Sequence, residues 1–133
     1  MKKFVSLLFL LLFGVFSFAQ SQIDVELKKC LAKDDSTANQ RNCTISAQQS
    51  WDKVLNKHYL SLSKKLSTTG KKELLETQRN WILFRDSEFK LINKYYFEVK
   101  KGTIFQVIAE NKKLEIIKER ALQLKEFDEQ FDY

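Results

Sequence analysis

Apolar residues recur along this chain at steps of three and four, the period of amphipathic helices. The first such stretch, Gln22 to Lys33, is short, with Ile23, Val25, Leu27 and Leu31 around Cys30, and Asp34-Asp35-Ser36 breaks it. Thr37 followed by Gln40 has the form of a capping box and predicts the start of a long helix. Its apolar face reads Cys43, Ala47, Trp51, Val54 with Leu55, His58 with Tyr59, Leu62 and Leu66, and Ser67-Thr68-Thr69-Gly70 is expected to end it. A second helix is predicted from about Lys71 to Lys100, with Leu74, Leu75, Gln78, Trp81, Ile82, Arg85, Phe89, Ile92, Tyr96 and Val99. Gly102 is the expected stop and Thr103 the cap of a third helix, with Val107, Asn111, Leu114, Ile117, Ala121 and Leu124 on nearly a heptad line. Asp128 to Tyr133 is expected to fray.

These elements predict an all-α fold, an antiparallel bundle of three long helices with the short N-terminal segment alongside. Two stretches, Trp51 to Tyr59 and Gln78 to Asp86, mix aromatic, amide and charged residues on one helical face each. Antiparallel packing of one against the other would satisfy both. Proline is absent and glycine numbers three, which suits helices joined by short turns rather than an all-β fold.

The N-terminus changes the setting. Lys2 and Lys3 precede the apolar run Phe4 to Phe16, and Ser17-Phe18-Ala19 supplies small residues for cleavage before Gln20. Residues 1–19 therefore read as a cleaved signal peptide and 20–133 as one domain, periplasmic or secreted. The apolar run is shorter than the roughly 20 residues that span a bilayer, so stable membrane insertion is not expected after cleavage. No cysteine near the cleavage site suggests a lipid anchor. Without Lys2 and Lys3 the chain holds 21 basic and 17 acidic residues, interspersed, and lacks the one-sided cationic face of a nucleic-acid binder.

Cys30 and Cys43 are the only cysteines. An even count in an exported chain argues for a disulfide, tying the N-terminal segment to the first long helix. A redox pair would show a C-x-x-C spacing, and a metal site built on the two cysteines and His58 would lack a fourth ligand. His58, the only histidine, has no identifiable nucleophile or orienting partner and reads as a partly buried structural residue. Asp52 and Arg85 are expected to form an ion pair between the first two long helices, the alternative being Arg85 paired with Asp86 or Glu88 on a solvated surface, and Asn56 and Gln78 are expected to make inter-helix hydrogen bonds. Tyr95, Tyr96 and Phe97 cannot share one stripe, so at least one of them should be exposed as a contact point for a partner. No phosphate-binding loop, H-E-x-x-H, G-x-S-x-G or paired catalytic carboxylates occur, and no cofactor, metal or catalytic residue is assigned.

The ordered set of Cys30, Thr37 and Cys43, then W-D-x-x-L-N-x-x-Y (Trp51, Asp52, Leu55, Asn56, Tyr59), resembles the lysozyme-inhibitor LprI-like domain family of small exported bacterial proteins. Leu66, Q-R-x-W-x-x-F-R-D (Gln78, Arg79, Trp81, Phe84, Arg85, Asp86), Gly102-Thr103-Ile104 and the late Arg120 continue the resemblance over about 90 residues. Members of that family often carry two further cysteines. Their places here are Phe89 and about Lys112, and their joint absence implies that Cys30 pairs with Cys43.

The resemblance implies a non-enzymatic envelope protein with a protein partner, lysozyme, inhibited by occlusion of its glycan cleft. The turn Ser67 to Lys72 and the connection Lys100 to Thr103 are the polar segments expected to act as the plug. Charge opposes long-range attraction, because animal lysozymes are cationic and this chain is itself basic, unless the acidic patch Glu126, Asp128, Glu129 and Asp132 makes the contact. The alternative is an envelope structural or stress-related interaction module without lysozyme activity. A wall hydrolase is a third class, for which the sequence nominates no carboxylate.

Overall fold

The computed structural model describes residues 21–132. The segment 1–19, read above as a signal peptide, lies outside the described residues. Four α-helices account for most of the rest: α1 (Gln22–Leu31), α2 (Thr37–Lys65), α3 (Thr68–Asn93) and α4 (Thr103–Gln130), with a π-helical segment, Lys94–Val99, continuing α3. The all-α bundle expected from the periodicity is present, as is the disulfide, Cys30 to Cys43, across Cα atoms 5.8 Å apart.

Serine hydroxyls start three of the helices. Ser21, Ser36 and Ser67 each accept from the backbone N–H three residues on, satisfying donors that the first helical turn leaves free. Three expectations are corrected by the structure. The cap of α2 is Ser36, not Thr37, and Gln40 donates to the Asp35 carbonyl instead of closing a box with Thr37. Ser67-Thr68-Thr69-Gly70 does not end α2; it opens α3, since Leu66 and Ser67 in extended backbone turn the chain and the Ser67 side chain caps the new helix. Gly102, at φ 123°, precedes α4 in a conformation that disfavours a Cβ, and Thr103 is the first helical residue rather than the cap.

The core lies between α2 and α4. Ala47, Trp51, Leu55 and Leu62 meet Leu114, Ile117, Ala121 and Leu124, with Leu74 of α3 added at one end. Along α4 the buried positions Val107, Glu110, Leu114, Ile117, Ala121, Leu124 and Asp128 alternate steps of three and four, a coiled-coil seam. Gln48 meets Glu110 and His58 meets Asp128, so α2 and α4 run parallel. The packing of α2 against α3 expected from their motifs is corrected: α4 is the main partner of both. α3 runs antiparallel to α4, as the pairs Gln78–Arg120 and Phe89–Lys113 show, and touches α2 little.

α1 has no fully buried residue. The disulfide, the contacts of Ile23 and Leu27 with the core, and the Lys118 ammonium on both oxygens of Asp24 (2.8 and 2.7 Å) hold it against α2 and α4. Burial raises the Asp24 pKa, but Lys118 and the Ser21 hydroxyl outweigh it and leave the carboxyl below its ordinary range.

Candidate functional site

The motif residues divide by burial. Trp51 is 3% exposed and Leu55 lies fully in the core, with the Lys118 ammonium 5.2 Å from the Trp51 ring centroid. Tyr59 packs on the core edge. Asp52 and Asn56 face outward and satisfy one another within α2, the Asn56 amide donating to the Asp52 carbonyl and carboxylate at 2.9 and 3.2 Å. Asn56 makes no inter-helix bond of the kind expected.

The Asp52–Arg85 ion pair does not form. Arg85 Nε and Nη2 donate to Oδ1 of its neighbour Asp86 at 2.9 and 2.7 Å, and its guanidinium lies 5.3 Å from the Trp81 ring centroid. The cause is the arrangement of helices: α3 packs on α4, so its inward face never meets Asp52. Gln78 is buried and accepts from Arg120 Nε at 3.0 Å. Trp81 is only half-buried, Phe84 is exposed, and Arg120 is deeply buried.

Two carboxylates of the seam, Glu110 and Asp128, are buried where the sequence reading did not expect it, which removes Asp128 from the acidic contact patch. Glu110 accepts from Gln48 at 3.0 Å and is approached by Arg41 and Lys113 at 3.6 and 3.4 Å. Asp128, expected to fray, is buried within α4; its Oδ2 lies 2.8 Å from His58 Nδ1 and its Oδ1 lies 3.0 Å from Lys65 Nζ. Burial pushes the Asp128 carboxyl up, but His58, Ser61 and Lys65 together bring it down to about 2. Their signal was available: both acids occupy seam positions in the three-four spacing of α4, where an unpaired charge would be costly. His58 thus has a carboxylate partner, in a buried pair at the bundle's end rather than in a cleft.

An exposed cluster of mixed character lies at the end of the bundle where α3 passes into α4. The π segment is closed by the Lys100 N–H donating to the Tyr95 carbonyl at 2.9 Å. Tyr95 is 44% exposed, Val99 61% and Ile104 49%. The Lys100 ammonium lies 5.6 and 5.8 Å from the Tyr95 and Phe105 ring centroids, and Lys101 is exposed beside it. Apolar, aromatic and cationic groups therefore share one exposed tip. The expected plug at Ser67 to Lys72 is absent, because those residues are capped helix. Among the described residues no cluster of His, Cys, Asp and Glu could hold a metal ion. No helix among them is long and apolar enough to cross a membrane.

A disulfide-tied helical bundle carrying the W-D and R-D motifs in this order defines a class, and comparison with known proteins agrees. The family model described as lysozyme inhibitor LprI matches residues 28–124, and the chain belongs to that family. A crystal structure of an uncharacterized protein from Burkholderia thailandensis is similar, at 29% identity and a TM-score of 0.78 over 86% of this chain. The match spans 56% of that longer protein. No curated protein matches the chain.

Proposed function

We propose that this protein is an exported, non-enzymatic binding protein of the bacterial cell envelope that inhibits lysozyme by occluding its glycan cleft. Membership of the lysozyme-inhibitor family over residues 28–124 carries the reading. The tip supplies a means. Lysozyme works with two carboxylates flanking the glycosidic bond, and the tip formed by Tyr95, Val99, Lys100, Lys101 and Ile104 offers cations and an aromatic anchor to such a site. This local complementarity acts at contact, where it offsets the long-range repulsion between two basic proteins. Wall-lysis kinetics with purified protein and a glycan oligomer as competitor test the reading. Inhibition saturating at one-to-one and relieved by the oligomer is expected; unchanged lysis in the presence of excess protein contradicts it.

A second reading, an envelope interaction module without lysozyme activity, draws on α3. Its outer surface carries Leu83 at 69% and Leu91 at 62% exposure, with Phe84 and Ile82 nearby. Exposed apolar side chains gathered on one thinly packed helix suit a protein partner. Reproducible recovery of one envelope protein, lost on Leu83→Lys and without any effect on lysis, distinguishes it.

A further inference from the structure

Arg120 is the buried charge that the bundle leaves uncompensated. It is 6% exposed, and burial holds its guanidinium below the ordinary pKa. Nε donates to Gln78 and Nη1 to Gln123, both neutral, while Nη2 has no hydrogen-bond partner among the described residues. The buried acids Glu110 and Asp128 each have cationic partners; Arg120 forms no ion pair among the described residues. Buried charges are otherwise paired, so an unpaired one beside open space points to a ligand.

That space lies where the end of α2 meets α3 and α4. A groove of about 370 Å³ has Arg120 in its wall and is otherwise dominated by Leu62, Leu66, Leu74, Leu124, Phe127 and Phe131. Phe127 and Phe131 are about half exposed, so the groove opens to solvent at the end of α4. We propose that it binds a single-chain amphiphile with a carboxylate head, the acyl chain lying on the leucine and phenylalanine surface and the carboxylate meeting the Arg120 guanidinium. The head is a monoanion because the site offers one cation, and Glu73, also lining the groove, would repel a second negative charge. The guanidinium fork matches a planar carboxylate. The chain is an alkyl one because a peptide backbone would find few hydrogen-bond partners against such a lining. The site sits at the far end of α4 from the Tyr95–Ile104 tip and does not depend on lysozyme binding.

The test is calorimetric titration of the purified protein with octanoate, decanoate and dodecanoate, and with the alcohols of the same lengths, all below micelle formation. Saturable one-to-one binding of the carboxylates is expected, tightening about fourfold per methylene. They should exceed the matching alcohols by about tenfold or more, the size of a charge-assisted hydrogen bond. Arg120→Gln should erase the preference for carboxylate and keep the chain-length dependence, with melting curves confirming the fold. Phe127→Gln, at an exposed position that tolerates change, should weaken both series, and it decides the matter if Arg120→Gln does not fold. Absence of saturable binding, equal affinity for acid and alcohol, or an unaffected Phe127→Gln protein overturns the proposal. So does a dimer in sedimentation that dissociates on Phe127→Gln, which assigns the groove to a second copy of the chain.

Discussion

His58 Nδ1 stands 2.8 Å from Asp128 Oδ2, joining the latter half of α2 to the last turn of α4. At the other end of the same seam, Gln48 reaches Glu110. Polar contacts at both ends of an apolar seam specify its register, since a slip of one turn would strand both acids. The parallel arrangement of α2 and α4 is therefore set by these pairs as much as by the leucines between them.

Acid should weaken the Asp128 end of the seam. Its folded pKa, about 2, lies below the ordinary 3.8. A depressed carboxylate contributes stability that is complete above the unfolded value and declines as pH falls from about 4 toward 2. The groups facing it are His58 and Lys65, with Asp132 sharing Lys65. Asp128→Asn should cost about 1–3 kcal/mol near neutrality and flatten the acid limb of a melting-temperature profile over that interval. A limb of unchanged steepness would remove Asp128 from the explanation.

The two tryptophans should respond unequally. Trp51→Ala empties the centre of the seam and should cost about 3–5 kcal/mol by denaturant unfolding. Trp81, half-buried under Arg85, should lose about 1–2 kcal/mol on the same change. Equal losses would mean that α3 packs more tightly than the structure has it.

Asp52 and Arg85 should be energetically independent. Each is satisfied on its own helix, so Asp52→Ala and Arg85→Ala should be additive within about 0.5 kcal/mol in a double-mutant cycle. A larger coupling would restore the inter-helix pair.

Reduction of Cys30–Cys43 should act on α1 selectively. The bridge closes 13 residues of separation and contributes roughly 3 kcal/mol in the chain-entropy view. With no fully buried residue of its own, α1 should lose amide-exchange protection over Gln22–Leu31 on reduction while α4 keeps its protection. Uniform loss across both helices would show that the bridge supports the whole bundle.

The helices, the disulfide and the inward placement of Trp51, Leu55 and Gln78 were legible in the sequence, because periodicity and cysteine count act locally. The partner of each face was not. An amphipathic stripe states that a helix is covered, not by which neighbour; on that point the pairing of Asp52 with Arg85 misled, and the alternative of Arg85 with Asp86 is the one formed. Ser67 to Gly70 misled for a different reason: the residues that stop one helix also cap the next, and only the geometry at Leu66 separates the two roles. Asp128 looked like a polar tail, yet its place in the three-four spacing, with a histidine opposite, buries it. The tip was half legible. The aromatic run announced exposure, but the π segment that brings Tyr95 beside Lys100 has no sequence period of its own.

Inhibition of wall lysis by the native protein and by a Lys100→Glu, Lys101→Glu, Tyr95→Ala variant is the most direct measurement. These residues lie outside the α2–α4 seam, so the variant should keep the native melting temperature. The account predicts stoichiometric inhibition by the native protein and at least a tenfold weaker effect from the variant, with the difference shrinking as salt is raised. Full lysis in the presence of excess native protein, or equal inhibition by both, would contradict the tip as the lysozyme-binding edge.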